Sequence, residues 1–439
     1  MRKTKVNIFW FRRDLRLEDN VGLYQALKSD LPILPIFIFD VNILNTLPKD
    51  DARVHFIYET LEQLNLHLKN DYQSGITVFH SSPLASFETL TQHYDIDEVY
   101  TNNDYEPYAI QRDLEVSRFL KSKDILFKTF KDHVIFERNE IVKKDGTPYK
   151  VYTPYSKQWI KQLETNPLLE YPSETHLHQL YKYDSKTFPS LSLIGFVSPT
   201  VPITSYNTED TLIGNYEATR NFPALVEGTS KVGPHLRFGT ISIRTLVKKA
   251  LAHENTTYLK ELIWREFFMQ ILWHYPQTIT QSFKPRYDHI QWRNNKQEFE
   301  LWCQGQTGYP LVDAGMRELN ATGHMHNRVR MVVGSFLCKH LLIDWRWGEA
   351  YFAKKLNDFE LSSNIGNWQW VAGCGVDAAP YFRIFNPTTQ IQKFDKAHQY
   401  IKKWVPEYQE LAYPTPMVDH KLARERCLHT YKAALDVTT

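Results

Sequence analysis

Trp368 and Trp370 stand two residues apart in a run from Asp358 to Gln390 that also holds Glu360, Asn364, Asp377, Arg383 and Asn386 among glycines and small residues. A buried indole needs a partner for its N–H, and buried amides need partners too. Small residues let a backbone come close to a flat ligand. The run therefore suits a flat-ligand site, or a well-packed helical core with irregular loops. A second group, Glu261, Trp264, Arg265 and Phe268, lies in YLKELIWREFFMQILWHYP. Spacings of three and four put these residues near one helical face. A ring that stacks beside a carboxylate that accepts N–H bonds suits a base-like ligand. An internal Glu261–Arg265 ion pair on a core helix is the other reading.

The third group is His324-Met-His326-Asn327-Arg328-Val-Arg330-Met331. Asn327 and Met331 share a face, Arg330 borders it, and Gly323 is placed to end the preceding helix. His324 and His326 are two apart, so a helix does not point them together. A metal pair of the H-E-x-x-H kind is disfavoured, and no metal is expected. The fourth group is the loop GTSKVGPHLRFGTIS, residues 228–242, where Thr229, Ser230 and their N–H groups can cradle phosphate. Gly373-x-Gly375-x-x-Ala378 fits a dinucleotide fingerprint on paper. It has no strand–helix–strand unit around it and is rejected.

These groups need elements to hold them. Val6–Phe11, Ile33–Phe39, Ile76–His80, Glu98–Thr101 and Leu126–Phe130 are short, apolar and β-branched or aromatic, and read as strands of a parallel sheet covered on both faces. Val21–Leu27, Val54–Leu68, Leu84–Tyr94 and Ile110–Leu120 read as helices between them. The alternation implies a doubly wound α/β domain over residues 1–130, with its ligand crevice at the carboxyl ends of the strands. In the turn after the first strand, Arg12, Arg13 and Arg16 beside Asp14, Glu18 and Asp19 read as a solvated ion-pair cluster, with a ligand site as the alternative. Residues 131–205 lose the alternation, are punctuated by proline, and read as a connector. From 206 to 439 the pattern is all-α, with helices expected at Tyr258–Tyr275, Gln297–Gln304, Leu311–Thr322, Arg328–Leu342 and Trp347–Lys355.

Composition adds bounds. A chain of 439 residues implies two domains. Of its 11 Trp, only Trp10 and Trp159 precede residue 250, so the helical part is the one that handles something flat. A net charge of +2 neither demands nor excludes nucleic acid. Four scattered cysteines without a C-x-x-C, no signal-like start and no long apolar run point to the cytoplasm and away from membranes.

At these residues the chain resembles the photolyase/cryptochrome family. FWFRRDLRLEDN, TSKVGPHLRFGTIS, ELIWREFF, TGYPLVDAGMRELNATGHMHNRVRM, DWRWGEAYFAKKL and GNWQWVAGCGVDAAPYFRIFNPTTQ fit it in order over nearly the whole chain. The last motif looks like that of class I cyclobutane pyrimidine dimer (CPD) photolyases. The resemblance implies a light-dependent carbon–carbon lyase that acts on UV-damaged DNA as a monomer without a protein partner, using reduced FAD. Tyr216, Thr229 and Ser230 would bind the FAD phosphate region. Trp264, Asn327, Arg330, Asp358, Glu360 and Asn364 would line its pocket or rim, with Arg330 paired to Asp358 and Asn364 facing the flavin N5. Glu261, Asn327 and Met331 would act on the flipped-out dimer, with Trp264 and Trp370 stacked on it. Arg220, Arg328 and Arg383 would grip phosphates. Trp292, Trp345 and Trp368 would relay electrons to oxidised FAD.

Some positions depart from the pattern: His324 for tryptophan, Glu360 for aspartate, Gly233 for serine. Tyr108 and Ala109 stand where folate-binding members carry Asn and Glu, which argues against a folate antenna; a deazaflavin, a second flavin or no antenna stay open. The rivals are a signalling cryptochrome, opposed by Asn364, Glu261, Met331 and the absence of a long tail after WVPEYQELAYP, and a (6-4) photolyase, opposed by Asn327. Outside the family, a non-enzymatic nucleic-acid binder is the remaining rival.

Overall fold

The apolar runs near the N-terminus do form a parallel sheet. The computed structural model describes residues 3–183 and 188–436. Within them β1 (Thr4–Phe11), β2 (Ile33–Asp40), β3 (Thr77–Ser81), β4 (Tyr94–Asn102) and β5 (Leu126–Phe130) pair in the order β3-β2-β1-β4-β5, all parallel. The alternating side chains explain why the inner strands are apolar throughout. Phe9, Phe11, Phe37 and Phe39 enter one core, while Ile8, Trp10, Ile36 and Ile38 enter the other. The helices between the strands are α1 (Val21–Leu27), the short α2 (Val41–Leu44), α3 (Ala52–Tyr72), α4 (Pro83–His93) and α5 (Pro107–Lys121). Leu23 and Leu61 cover the first face, Phe87 and Val116 the second.

The chain then forms α6 (Tyr152–Thr165), α7 (Asp210–Thr219), α8 (Gly233–Phe238), α9 (Ile243–Leu251), α10 (Thr257–His274), α11 (Lys296–Gln304) and α12 (Pro310–Thr322). It continues with α13 (Asn327–Ser335), α14 (Trp345–Lys355), α15 (Leu361–Ala372), α16 (Pro387–Phe394), α17 (Gln399–Trp404) and α18 (His420–Leu435). Gly323 ends α12 at φ +67°, as its position before a polar run suggests. The helix expected over Arg328–Leu342 is instead α13 followed by a π-helical turn at Phe336–His340.

Two compact units result, each assembled from three stretches. One takes residues 1–137, 161–204 and 232–248; the other takes 138–160, 205–231 and 249–439. The segment read as a connector thus contributes to both, and residues 184–187 of it lie outside the described residues.

Long-range ion pairs bring 232–248 into the sheet unit. The turn after β1 is not a solvated cluster: Arg12, Arg13, Asp14 and Arg16 are buried. Arg12 pairs with Asp113 at 2.5 Å, Arg13 with Asp104 at 3.0 Å and Arg16 with Asp132 at 2.7 Å. Arg244 shares Asp132 at 2.9 Å, and Arg237 holds Glu106 at 2.6 Å. Most of these partners lie about a hundred or more residues from the arginines, so neighbouring residues alone could not reveal them. At the strand-order reversal between β1 and β4, Asn102 donates to Asp14 at 2.6 Å and to Asn20 at 2.8 Å, so the protein's own polar groups fill that point.

Burial pushes the carboxyls of Asp104 and Asp132 up, but the arginines beside them outweigh it and hold both well below the ordinary range. Burial raises Asp14 instead. A depressed carboxylate contributes stability above its unfolded pKa of about 3.9 and loses it as pH falls further. Asp132→Asn, which leaves Arg16 and Arg244 facing a neutral amide, is expected to destabilise this unit by about 3–5 kcal/mol. Faster amide exchange in β1 and β4 at pH 7 would report it, and the difference from the native chain should shrink as the pH is lowered below about 4.

Candidate functional site: a polar-edged cavity walled by two helices

The second core is built mainly from α12, α13, the π-helical turn, α14 and α15. Between α13, α14 and α15 it opens into a cavity of ≈ 610 Å³, a volume that includes space open to solvent. Asn327, Arg330 and Met331 line it from α13. Asp358, Phe359 and Glu360 line it from the turn before α15, and Asn364, Trp368 and Trp370 from α15 itself. Periodicity explains the first set, because residues 327, 330 and 331 share one helical face.

The polar groups are fixed by hydrogen bonds to neighbouring residues. Arg330 donates through Nε to the Met325 carbonyl at 2.7 Å and through a terminal nitrogen to Asp358 Oδ2 at 2.9 Å. Asp358 Oδ1 is buried and has no partner among the described residues. Asn364 gives its Nδ2 hydrogens to Glu349, at 3.1 Å to the carbonyl and 2.8 Å to Oε1. Its Oδ1 is thereby the atom left for the cavity. Burial raises the Glu349 carboxyl, and the Asn364 bond partly offsets this. Glu360 is buried and accepts from Arg265 Nε at 3.1 Å, while Glu261 pairs with Arg220. The internal Glu261–Arg265 pair is therefore not formed; each residue pairs across to another element. His324 bonds Glu318 at 3.3 Å. His326, pushed down to about 4 by burial, accepts the Arg328 N–H at 3.1 Å and caps α13.

The other expected residues lie off the cavity lining. Ser230 is buried; its carbonyl accepts from Asn207 at 2.9 Å and its hydroxyl from Tyr258 at 3.2 Å. Thr229 precedes it in the same loop, and Tyr216 packs edge-on against Tyr258 at 5.0 Å. Trp264 is half-buried in α10. Arg328 donates to Asn221 at 2.6 Å and lies 4.3 Å over the Phe394 ring. The carbonyl of Arg383 accepts from buried Lys339 at 2.8 Å.

Trp368 is 3 % exposed, edge-on to Phe352 at 4.9 Å and to Trp302 at 6.2 Å. It lies against Gly348 of α14, three residues after buried Trp345. Trp292 is half-buried and edge-on to Tyr431 at 5.9 Å. Sequence reasoning missed Glu349 and Trp302. A carboxylate inside an aromatic helical stretch was a signal for Glu349; Trp302 had none beyond its residue type.

The residues present fit a flat, hydrogen-bonding ring system such as isoalloxazine. The walls are Phe352, Phe359 and Trp368, Arg330 supplies a fixed cation, Asp358 Oδ1 is an acceptor without a donor among the described residues, and Asn364 Oδ1 belongs to an amide whose nitrogen is taken up by Glu349. An added Cβ on Gly348 would meet Trp368 at 2.1 Å. Gly348→Ala is therefore expected to cost about 1–3 kcal/mol. A lowered Tm together with weaker retention of the cavity's ligand would show it.

Comparison with known proteins gives a consistent set. The family model described as DNA photolyase matches residues 7–173, and that described as FAD binding domain of DNA photolyase matches residues 258–412. The chain is 34% identical to the deoxyribodipyrimidine photo-lyase of Halobacterium salinarum, covering 98% of this chain and 99% of the other. It is similar to a bacterial class III photolyase from Agrobacterium tumefaciens, with a TM-score of 0.86, 32% identity and coverage of 99% and 98%. It is also similar to an archaeal photolyase from Sulfolobus tokodaii solved with two FAD molecules, with a TM-score of 0.83, 31% identity and coverage of 98% and 100%.

Proposed function

The chain belongs to the DNA photolyase family, and on that footing we propose that it repairs cyclobutane pyrimidine dimers in UV-damaged DNA under light. What carries this is the cavity of Arg330, Asp358 and Asn364, whose fixed cation, unpartnered Asp358 Oδ1 and held amide suit a reduced flavin ring. Bound FAD in its reduced form would supply the chemistry, giving one electron to the dimer on excitation and recovering it once the ring has split, with no net redox change.

The protein's own residues position and tune. Arg330, held by Asp358 and the Met325 carbonyl, offsets the negative charge of the ring. Asn364, its Nδ2 held by Glu349, would offer Oδ1 to a ring N–H. Tyr216, Thr229 and Ser230 hold the phosphate region, with Glu360 and Trp264 at the pocket's rim. Glu360 is tied to Arg265, so its extra methylene is used in an ion pair. A dimer already weakens its duplex, so extruding it costs less than flipping a normal base. Glu261 bonds the base edges, Asn327 and Met331 contact the dimer, and Trp264 and Trp370 stack on it. Arg220, Arg328 and Arg383 bind phosphates, which makes affinity salt-dependent and largely sequence-independent.

Trp368, Trp345 and Trp292 serve as the electron relay, running from the cavity wall to a half-buried position. We assign these tasks to the helical stretch 206–439, with residues 1–130 as the antenna region and 131–205 as the connector. Tyr108 and Ala109 speak against a folate antenna, with a deazaflavin, a second flavin or no antenna as the alternatives. The class I placement rests on the C-terminal motif alone, since a class III enzyme is among the similar structures. Four free cysteines agree with the cytoplasm, where the protein would act as a monomer without a protein partner. No helix among the described residues is long and apolar enough to cross a membrane.

Photoreduced protein should remove dimers from CPD-containing DNA under blue light and leave them in the dark; equal loss in both would overturn the assignment. Trp368→Phe is expected to slow photoreduction of bound FAD while sparing repair after chemical reduction. Glu261→Ala should lower the repair yield per photon by more than it lowers FAD content.

A further inference from the structure

Trp264 has one ring face already covered. The Tyr152 ring lies parallel to it, with centroids 3.7 Å apart and planes 5° from each other. Three contacts hold Tyr152. Its hydroxyl donates to the Lys260 carbonyl on α10 at 2.8 Å, one turn before Trp264. Its backbone N–H donates at 3.0 Å to Asp377 Oδ2, in the loop that leads to Arg383. Phe267 packs edge-on against both rings, at 5.9 Å from Tyr152 and 5.6 Å from Trp264. Tyr152 is 9% exposed, whereas Trp264 is half-buried. It opens α6, inside the stretch that sequence reading treats as connector, and no catalytic or binding role described above involves it.

We propose that Tyr152 is a positioning residue for damage recognition: together with Phe268, tilted 33° against Trp264 at 5.4 Å, it fixes the plane of the Trp264 indole, and it closes one face of that indole to an extruded base. A free indole samples several rotamers, and each one lost on binding costs affinity. A clamped indole has lost them before DNA arrives. The gain falls on the flipped lesion and not on the phosphate contacts, so Tyr152 governs discrimination more than total affinity. This rests on reading Trp264 as a stacking surface for the dimer.

The test compares affinities of full-length, FAD-loaded protein for two oligonucleotides at one salt concentration, identical except for a single CPD. Tyr152→Leu is expected to lower the damaged-to-undamaged affinity ratio by about two- to tenfold, the range for one aromatic stack. Tyr152→Phe keeps the ring and should stay close to the native ratio. If Tyr152→Leu does not fold, Tyr152→Met fills the volume without a ring and carries the same expectation. A purely structural role would lower FAD content and both affinities together, leaving the ratio unchanged, and would overturn the proposal. Equal loss in the Phe and Leu variants would also overturn it. Trp264→Ala separates the two levels. If it abolishes discrimination while Tyr152→Leu does not alter it, the positioning role fails and the stacking role stands; if it leaves discrimination intact, both fail.

Discussion

The contact of α14 with α15 at Gly348 is the constraint on which the site depends. A side chain there would occupy the space of the Trp368 ring. Because it is absent, α15 packs against α14 closely enough for Glu349 to reach Asn364, one residue beyond the glycine. One approach therefore fixes both an aromatic wall and the orientation of an amide. Phe352 and Trp302 close around the indole, so Trp368 has little freedom to relax away.

A second regularity is that charged groups near the cavity pair across elements. Arg330 reaches Asp358, Arg265 reaches Glu360, and Arg220 reaches Glu261. Such pairs are costly to bury unless their remaining hydrogen-bonding positions are used. Asp358 keeps one oxygen unused in a buried position, which is the kind of deficit a ligand N–H removes. The sheet unit follows the same logic to a different end. Its buried arginines and aspartates pair with one another and tie residues 232–248 to the segments that follow β4 and β5.

The proposed chemistry needs little from the protein in the way of proton transfer. It needs a held ring, compensated charge, a stacking surface for an extruded base and an aromatic route for electrons. Arg330 and Asn364 fit the first two. Trp264, with one face covered by Tyr152, fits the third.

The sequence by itself determined the parallel sheet, since β2 is a short run of apolar, largely β-branched and aromatic residues from Ile33 to Phe39, too short for a helix and set between amphipathic helical stretches. It also determined the residue classes at the cavity, because 327, 330 and 331 recur on one face and the motif around Trp368 is long. It misread the arginines after β1, whose partners at 104, 113 and 132 are distant in the chain. It did not connect Glu349 or Tyr152 with their partners either. Periodicity describes contacts within one element, whereas Glu349 meets Asn364 and Tyr152 meets Trp264 only after separate helices have packed. Tertiary structure alone decided which polar atoms were consumed by the protein and which were left for a ligand, because that depends on distances between residues the chain keeps far apart.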